Sequence, residues 1–242
     1  MKNKLEELNC WKGGLPLTNE YFGITFNELH SYRDFGLRVL ERHIGNPSKI
    51  KRKERVPFSN EIYDFSGIYG GQEYEERQLT YVFNVKDYDK INLSMKRVEV
   101  LNWLVPVNKK TKLFDDYIPG YYFLAEVEDA PDFDELRFRG SLTVTFIAYP
   151  FKISELKEGH DLWDPFNFLL DYAQTTEFTV NGTKEITLYN PGASILRPKI
   201  IASNAMTITK GNTTFNVPAG ESKSHDFILR QGENKMTIKG NG

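Results

Sequence analysis

From Leu136 to Ala148 the even positions read Leu136, Phe138, Gly140, Leu142, Val144, Phe146 and Ala148, while the odd ones include Arg137, Arg139, Ser141, Thr143 and Thr145. Alternation of period two turns one apolar row inward and one polar row outward, which predicts a single long half-buried strand with a bend at Gly140. Leu79, Tyr81, Phe83 and Val85 alternate with Gln78, Thr80 and Asn84 in the same way and predict a second such strand. A helical period replaces this pattern once. Ile91, Met95, Val98, Leu101 and Val105 recur at helical spacing, with Asp87 or Asp89 as N-cap and Pro106 as the stop, so a helix is expected over residues 89–104 with its Trp103-Leu104 end against a sheet.

Beyond Pro150 the texture becomes irregular, and the segment around Asp164-Pro165 reads as linker with a short helical turn. Short strand candidates then follow about every ten residues: Phe178/Val180, Ile186/Leu188, Ile200/Ala202, Met206/Ile208, Phe215/Val217, Phe227/Leu229 and Met236/Ile238. Turn signals lie between them, among them Asn181-Gly182, Asn190-Pro191-Gly192 and Gly232-Glu233-Asn234. That spacing is expected of an antiparallel β-sandwich.

Composition narrows the function. In 242 residues, 14% are aromatic and 40% hydrophobic, enough for one large or two ordinary β-rich domains. The formal charge of −2 provides no field for a polyanion or an acidic membrane, which argues against a dedicated nucleic-acid binder. Residues 177–242 carry eight Lys+Arg against five Asp+Glu, leaving the first part acidic by a small margin. No apolar run approaches the roughly 18 residues of a membrane span, and no signal peptide is evident, so a soluble chain made in a cytoplasm is expected. Cys10 is the single cysteine, which excludes an intrachain disulfide and a cysteine-cluster metal site.

No standard catalytic arrangement survives inspection. His30, His43, His160 and His225 fall in separate segments without zinc-ligand spacing. Asp115-Asp116 would point to opposite faces of a strand and reads as the start of a turn rather than an acid/base pair. Gly70-Gly71 lacks the strand-to-helix context of a phosphate loop. No catalytic, cofactor or metal residue is therefore assigned. The basic run Lys49, Lys51, Arg52, Lys53 and Arg55, and the acidic loop containing Glu73, Glu75 and Glu76, are expected to be exposed as two adjacent arms of opposite charge. The candidate contacts between subunits are Lys51, Arg52, Lys53, Glu73, Glu75 and Glu76.

The stretch from Ile24 through His30-Ser31-Tyr32-Arg33-Asp34-Phe35-Gly36-Leu37 to Leu40 resembles the opening of the distal tail proteins (Dit) of long-tailed siphophages infecting Gram-positive bacteria. Further resemblances follow in the family's order. They are Arg55-Val56-Pro57-Phe58, Tyr63-Asp64-Phe65, Arg77, Trp103-Leu104, Leu113-Phe114-Asp115-Asp116, Gly120-Tyr121-Tyr122-Phe123, Gly140 to Phe146, Ile186 to Gly192, and Arg197-Pro198-Lys199-Ile200. The resemblance implies a mainly β protein: an N-terminal tail-tube-like β domain with one helix, then a C-terminal galectin-like β-sandwich. It places an extension at residues 1–16, the ring-forming domain at 17–150, a linker at 151–175 and the sandwich at 176–242, the sandwich lacking the family's last strand.

The same resemblance implies a structural protein of the virion tail without enzymatic activity or cofactor. It would form a homohexameric ring, a hub joining the tail tube protein to the tail-associated tip protein, with outer domains holding receptor-binding components. DNA would pass through the channel without specific binding, and no membrane would be involved. An alternative function is a carbohydrate-binding host-recognition module in the C-terminal sandwich, with Trp163, Tyr172 and Tyr189 as the candidate sugar platform.

Overall fold

The computed structural model describes residues 22–68, 71–86, 89–136, 139–156 and 174–242. They form a mainly β structure in two compact units. The first comprises the described residues up to Lys49 and Tyr74–Glu155, and the second combines Ile50–Glu73 with the described residues from Leu156 onward. The segment Ile50–Glu73 therefore groups with the C-terminal part of the chain.

In the first unit the strands are β1 (Ile24–Phe26), β2 (Leu29–His30) and β3 (Arg38–Ile44). After the short strands β4 (Lys53–Arg55) and β5 (Ile62–Asp64) of the second unit come β6 (Arg77–Lys86), helix α1 (Lys90–Leu104), β7 (Thr111–Asp115) and β8 (Tyr121–Val127). β9 (Asp132–Leu136), β10 (Arg139–Ala148) and β11 (Ile153–Ser154) complete the unit. The sheet runs β2-β1-β7-β8-β10-β6-β3, with β9 beside β10 and β11 beside β8. At its centre β10 and β6 pair along their full length, bringing Leu142 opposite Phe83, Val144 opposite Tyr81 and Phe146 opposite Leu79. All six are buried, as the alternation predicts. The other row of β10, Ser141, Thr143, Thr145 and Ile147, is half-buried, and Thr145 shares a hydroxyl hydrogen bond of 3.3 Å with Thr80.

Residues 136–148 are not one strand. β9 ends at Leu136 and β10 starts at Arg139, and the two pair antiparallel with Phe133 opposite Leu142. Nor is there a bend at Gly140, where the ladder to β6 is continuous. A Cβ there would lie 2.9 Å from the Phe133 ring, so the missing side chain makes room for that ring.

The helix begins as expected, with the Asp89 side chain accepting from the Ile91 N–H at 3.2 Å, and it ends just before Pro106. Its orientation differs from the expectation. Leu93, Val100, Trp103 and Leu104 enter the core, whereas Ile91, Met95, Val98 and Val105 are 69%, 60%, 55% and 53% exposed. Two apolar stripes lie on opposite sides of α1. The inward one contains Trp103, whose indole N–H donates to the Phe26 carbonyl at 2.7 Å and whose ring stacks on Phe35 at 4.7 Å. A large aromatic with a satisfied polar atom buries more area than any residue of the other stripe, which decides the face.

In the second unit β12 (Asn181–Asn190), β13 (Ile200–Ala202), β14 (Met206–Lys210), β15 (Thr213–Val217), β16 (Gly220–Ser222) and β17 (Gly232–Asn241) form a four-stranded sheet, β12-β17-β14-β15, and a separate pair, β13-β16. Val180, Ala202, Ile208, Val217, Phe227, Leu229, Met236 and Ile238 make its core. Five of the seven expected strand pairs lie on strands. Phe178/Val180 and Phe227/Leu229 face or line the core from irregular segments, with Val180 bonded to Gly242 through both backbone groups and Leu229 bridged to Leu196. Asn181-Gly182 is the start of β12 rather than a turn, Gly182 adopting φ 86° opposite Gly240. Asn190 and Asn234 are buried and fully used. Asn190 donates to the Ser194 and Leu229 carbonyls, and Asn234 accepts from the Arg230 N–H and from Lys210.

Candidate functional site

Residues 50–68 and 71–73 form an arm inserted between β3 and β6. β4 and β5 pair with Lys53 opposite Asp64, Glu54 opposite Tyr63 and Arg55 opposite Ile62. The Ile50 N–H donates to the Glu73 carbonyl at 2.9 Å, and the Gln72 side-chain amide donates to the Ile50 carbonyl at 2.9 Å. The basic run and the acidic loop are thus two legs of one arm, not two arms. Period-two geometry places Lys51, Lys53, Arg55, Ile62 and Asp64 on one face of the ribbon and Arg52, Glu54, Tyr63 and Phe65 on the other, with Glu61 continuing that side.

Charge is largely settled inside the arm. Lys51 Nζ lies 3.0 Å from Asp64, and Arg52 pairs with Glu73 at 3.1 Å. The Asp64 carboxyl is held well below the usual carboxylate range, first by the Ser66 hydroxyl, then by the Ser66 backbone N–H and by Lys51. Ser66 Oγ also accepts from the Arg52 N–H at 2.8 Å, so these polar groups order the two legs. Of the candidate contact residues, Lys53 and Glu75 are exposed, while Glu76 belongs elsewhere: it meets Lys110 at 2.7 Å, and Lys110 also reaches Glu126 at 2.9 Å. Those partners, Glu76 first, raise the affinity of the Lys110 ammonium for its proton.

What sequence reasoning missed on the arm is its apolar surface. Phe58, Ile62, Tyr63, Phe65 and Ile68 are all exposed, and the Tyr63 and Phe65 rings lie 6.3 Å apart on one face. An isolated two-stranded ribbon that buries little is marginal in water, so exposed aromatics there favour a partner. The signal was in the sequence: aromatic residues interleaved with charges on either side of a Pro57-Phe58 turn. Phe58 holds φ 62°, a backbone region that costs a bulky residue on the order of 1 kcal/mol or more. Phe58→Gly is therefore expected to preserve or raise the melting temperature while weakening any association that uses the ring. A matched pair of thermal melts and mass measurements on the full chain checks both parts; a loss of stability without a change in mass would show that Phe58 acts only within the fold.

The other polar concentration lies in the first unit. His30 Nδ1 accepts from the Tyr32 and Arg33 backbone N–H groups at 3.1 and 3.0 Å, so Nε2 carries the hydrogen that is donated to Asp116 at 2.9 Å. Asp116 also accepts from the Gly23 N–H at 3.0 Å. Asp115, buried, accepts from the Tyr81 hydroxyl and from the Tyr117 N–H, each at 2.9 Å, with Arg42 Nε at 3.3 Å. These carboxylates are committed to fastening the β1 and β7 ends. No group of three or more His, Cys, Asp or Glu that could hold a metal is found among the described residues. There, too, no helix is long and apolar enough to cross a membrane.

Of the candidate sugar platform, Trp163 and Tyr172 lie outside the described residues. Tyr189 sits on β12 at the limit of exposure, with its backbone N–H and carbonyl both bonded to the Gln174 side chain at 2.8 Å.

No protein-family model matches the chain, and no curated protein matches it. Among solved structures, the crystal structure of SPP1 Dit, described as a paradigm of the hub adsorption apparatus in phages infecting Gram-positive bacteria, superposes with a TM-score of 0.57. The match covers 90% of this chain and 96% of that one at 12% identity. The chain thus has the mainly β fold of SPP1 Dit along nearly its whole length, in agreement with the resemblance read from its motifs.

Proposed function

We propose that this protein is a structural component of a phage tail, a hub at the distal end with no enzymatic activity. The observation that carries this reading is the shared fold with a hub adsorption protein over 90% of the chain. The arm supports it independently: an ordered ribbon with exposed aromatics suits a subunit that is completed by its neighbours. In this reading residues 17–150 form a tail-tube-like ring domain and 151–175 a linker, with 176–242 a galectin-like sandwich at the periphery. Six copies enclose a channel through which DNA passes, one side meeting the tail tube protein and the other the tail-associated tip protein. The outer domains hold receptor-binding components. The protein is made in the host cytoplasm and resides in the virion tail.

A head-to-tail ring needs two different complementary patches on each subunit. Light scattering after size exclusion, over a range of concentrations, tests the reading. The expected species is about six times the 28.0 kDa chain, roughly 168 kDa, or twice that for two stacked rings. A chain that remains monomeric at every concentration, and in the presence of tail tube protein, overturns it.

A further inference from the structure

The chain contains two Asn-Gly steps, Asn181-Gly182 and Asn241-Gly242, and the β12-β17 register sets them opposite each other, Asn181 with Asn241 and Gly182 with Gly240. In an Asn-Gly step the next backbone nitrogen reaches the side-chain amide most readily, because glycine puts no side chain in its way. Asn181, Gly182 and Asn241 are exposed, so water has access to this end of the ladder. Gly182 holds φ 86°, so the backbone itself calls for the residue that makes Asn181 labile. Both attacking nitrogens are nevertheless occupied. The Gly182 N–H donates to Asn241 Oδ1 at 2.9 Å. The Gly242 N–H donates to the Val180 carbonyl at 2.9 Å, and the Val180 N–H donates back to the Gly242 carbonyl at 2.8 Å.

We propose that Asn181 is a site of slow covalent self-modification, conversion to aspartate and isoaspartate through a cyclic imide, and that the Asn241 side chain guards it. In that reaction the Gly182 nitrogen gives up its proton and bonds to the Asn181 side-chain carbonyl carbon, while the amide nitrogen takes up a proton and leaves as ammonia. Water then opens the ring. An N–H that donates to Asn241 neither loses its proton readily nor turns toward Asn181, so the reaction waits for local opening of this strand end. Either product adds a carboxylate, and isoaspartate also adds a carbon to the main chain. Both changes fall at the first residue of β12, next to Val180, which is 1% exposed in the core of the second unit. Conversion therefore loosens the β12-β17 ladder from its end. Asn241 is held in turn by Asn204, whose side-chain amide donates to the Asn241 carbonyl at 2.9 Å.

Ageing the full chain in mildly alkaline buffer tests this, with conversion at Asn181 followed by peptide mass mapping. Asn212, exposed in the turn between β14 and β15, serves as the internal reference. Asn241→Ala leaves the Gly182 N–H without its acceptor and should raise the rate at Asn181 about fivefold relative to Asn212, the factor expected for one ordinary hydrogen bond. Asn241→Asp keeps an acceptor oxygen at the same place and should stay near the wild-type rate. Asn204→Ala removes the bond to the Asn241 carbonyl but keeps the one to Gly182, so it loosens the strand end without freeing the nitrogen and should change the rate little. An Asn241→Ala chain that converts no faster than wild type overturns the proposal. So does an Asn204→Ala chain that converts as fast as Asn241→Ala, because fraying rather than the guarding side chain would then set the rate. A rise that Asn212 shares also overturns it, since the substitution would then act through the whole unit.

Discussion

Replacing Trp103 by alanine is expected to destabilise the first unit by about 3–5 kcal/mol, the range for deleting a large buried aromatic. The indole touches the core in three ways: it stacks on Phe35 at 4.7 Å, meets the Phe26 ring edge-on at 6.4 Å, and donates to the Phe26 carbonyl at 2.7 Å. Truncation leaves a cavity and removes the indole hydrogen bond to a β1 carbonyl, two costs that fall at the same place. Trp103→Phe separates them, since it keeps much of the volume and loses the hydrogen bond; about 1–3 kcal/mol is expected. Urea unfolding of the full chain, followed by circular dichroism, measures both. An alanine variant within about 1 kcal/mol of wild type would mean that α1 is not held by this residue. Trp103 also fixes the face that α1 turns inward and therefore the stripe it turns out.

That two-sidedness explains where the sequence was readable and where it was not. The existence of the helix, its Asp89 cap and its stop at Pro106 follow from local chemistry and agree with the structure. Its orientation did not follow, because Ile91-Met95-Val98 and Leu93-Val100-Leu104 both satisfy a helical period and only tertiary packing chooses between them. Alternation identified β6 and the inward row of β10, yet it ran unbroken from Leu136 to Ala148 across the end of one strand and the start of the next. The register sets odd Phe133 opposite even Leu142, so the parity inverts between the two strands, and the alternation of Leu136 with the residues after it carries no mark of that inversion. In the second unit Phe227 and Leu229 reach the core without a regular ladder, so their spacing predicted burial correctly and a strand incorrectly.

For the arm, local pattern gave the charges and withheld their partners. Lys51 and Asp64 are thirteen residues apart and Arg52 and Glu73 twenty-one, separations that only the register of the β4-β5 ribbon brings together. His30 and Asp116 are a stronger case, eighty-six residues apart, and the histidine is buried. What the residues could show was the absence of a familiar catalytic spacing. The surfaces that favour assembly emerged from exposure, where apolar side chains remain uncovered after both cores are filled.

Asp115→Ala is expected to cost about 3 kcal/mol, toward the lower end for breaking a buried charged pair because the Arg42 side chain keeps some contact with water. The substitution removes the acceptor for the Tyr81 hydroxyl, deep in the β6 core, and the counter-charge of Arg42, whose guanidinium also lies over the Tyr117 ring at 4.6 Å. Burial, foremost, raises the Asp115 carboxyl above its ordinary range, against the lowering effects of the Tyr117 N–H, Arg42 and the Tyr81 hydroxyl. The Tyr81 hydroxyl is likewise pushed up, by burial first and then by the Asp115 charge. Because the folded carboxyl binds its proton more tightly than the unfolded one, its contribution is fully present below about pH 3.9 and declines as the pH rises through the folded value. Asp115→Asn cannot ionise and lacks that decline. The stability advantage of wild type over Asp115→Asn should therefore shrink from about pH 4 toward neutrality, measured by urea unfolding at a series of pH values. An advantage that instead grows with pH would mean that Arg42 and the two hydrogen-bond donors outweigh burial.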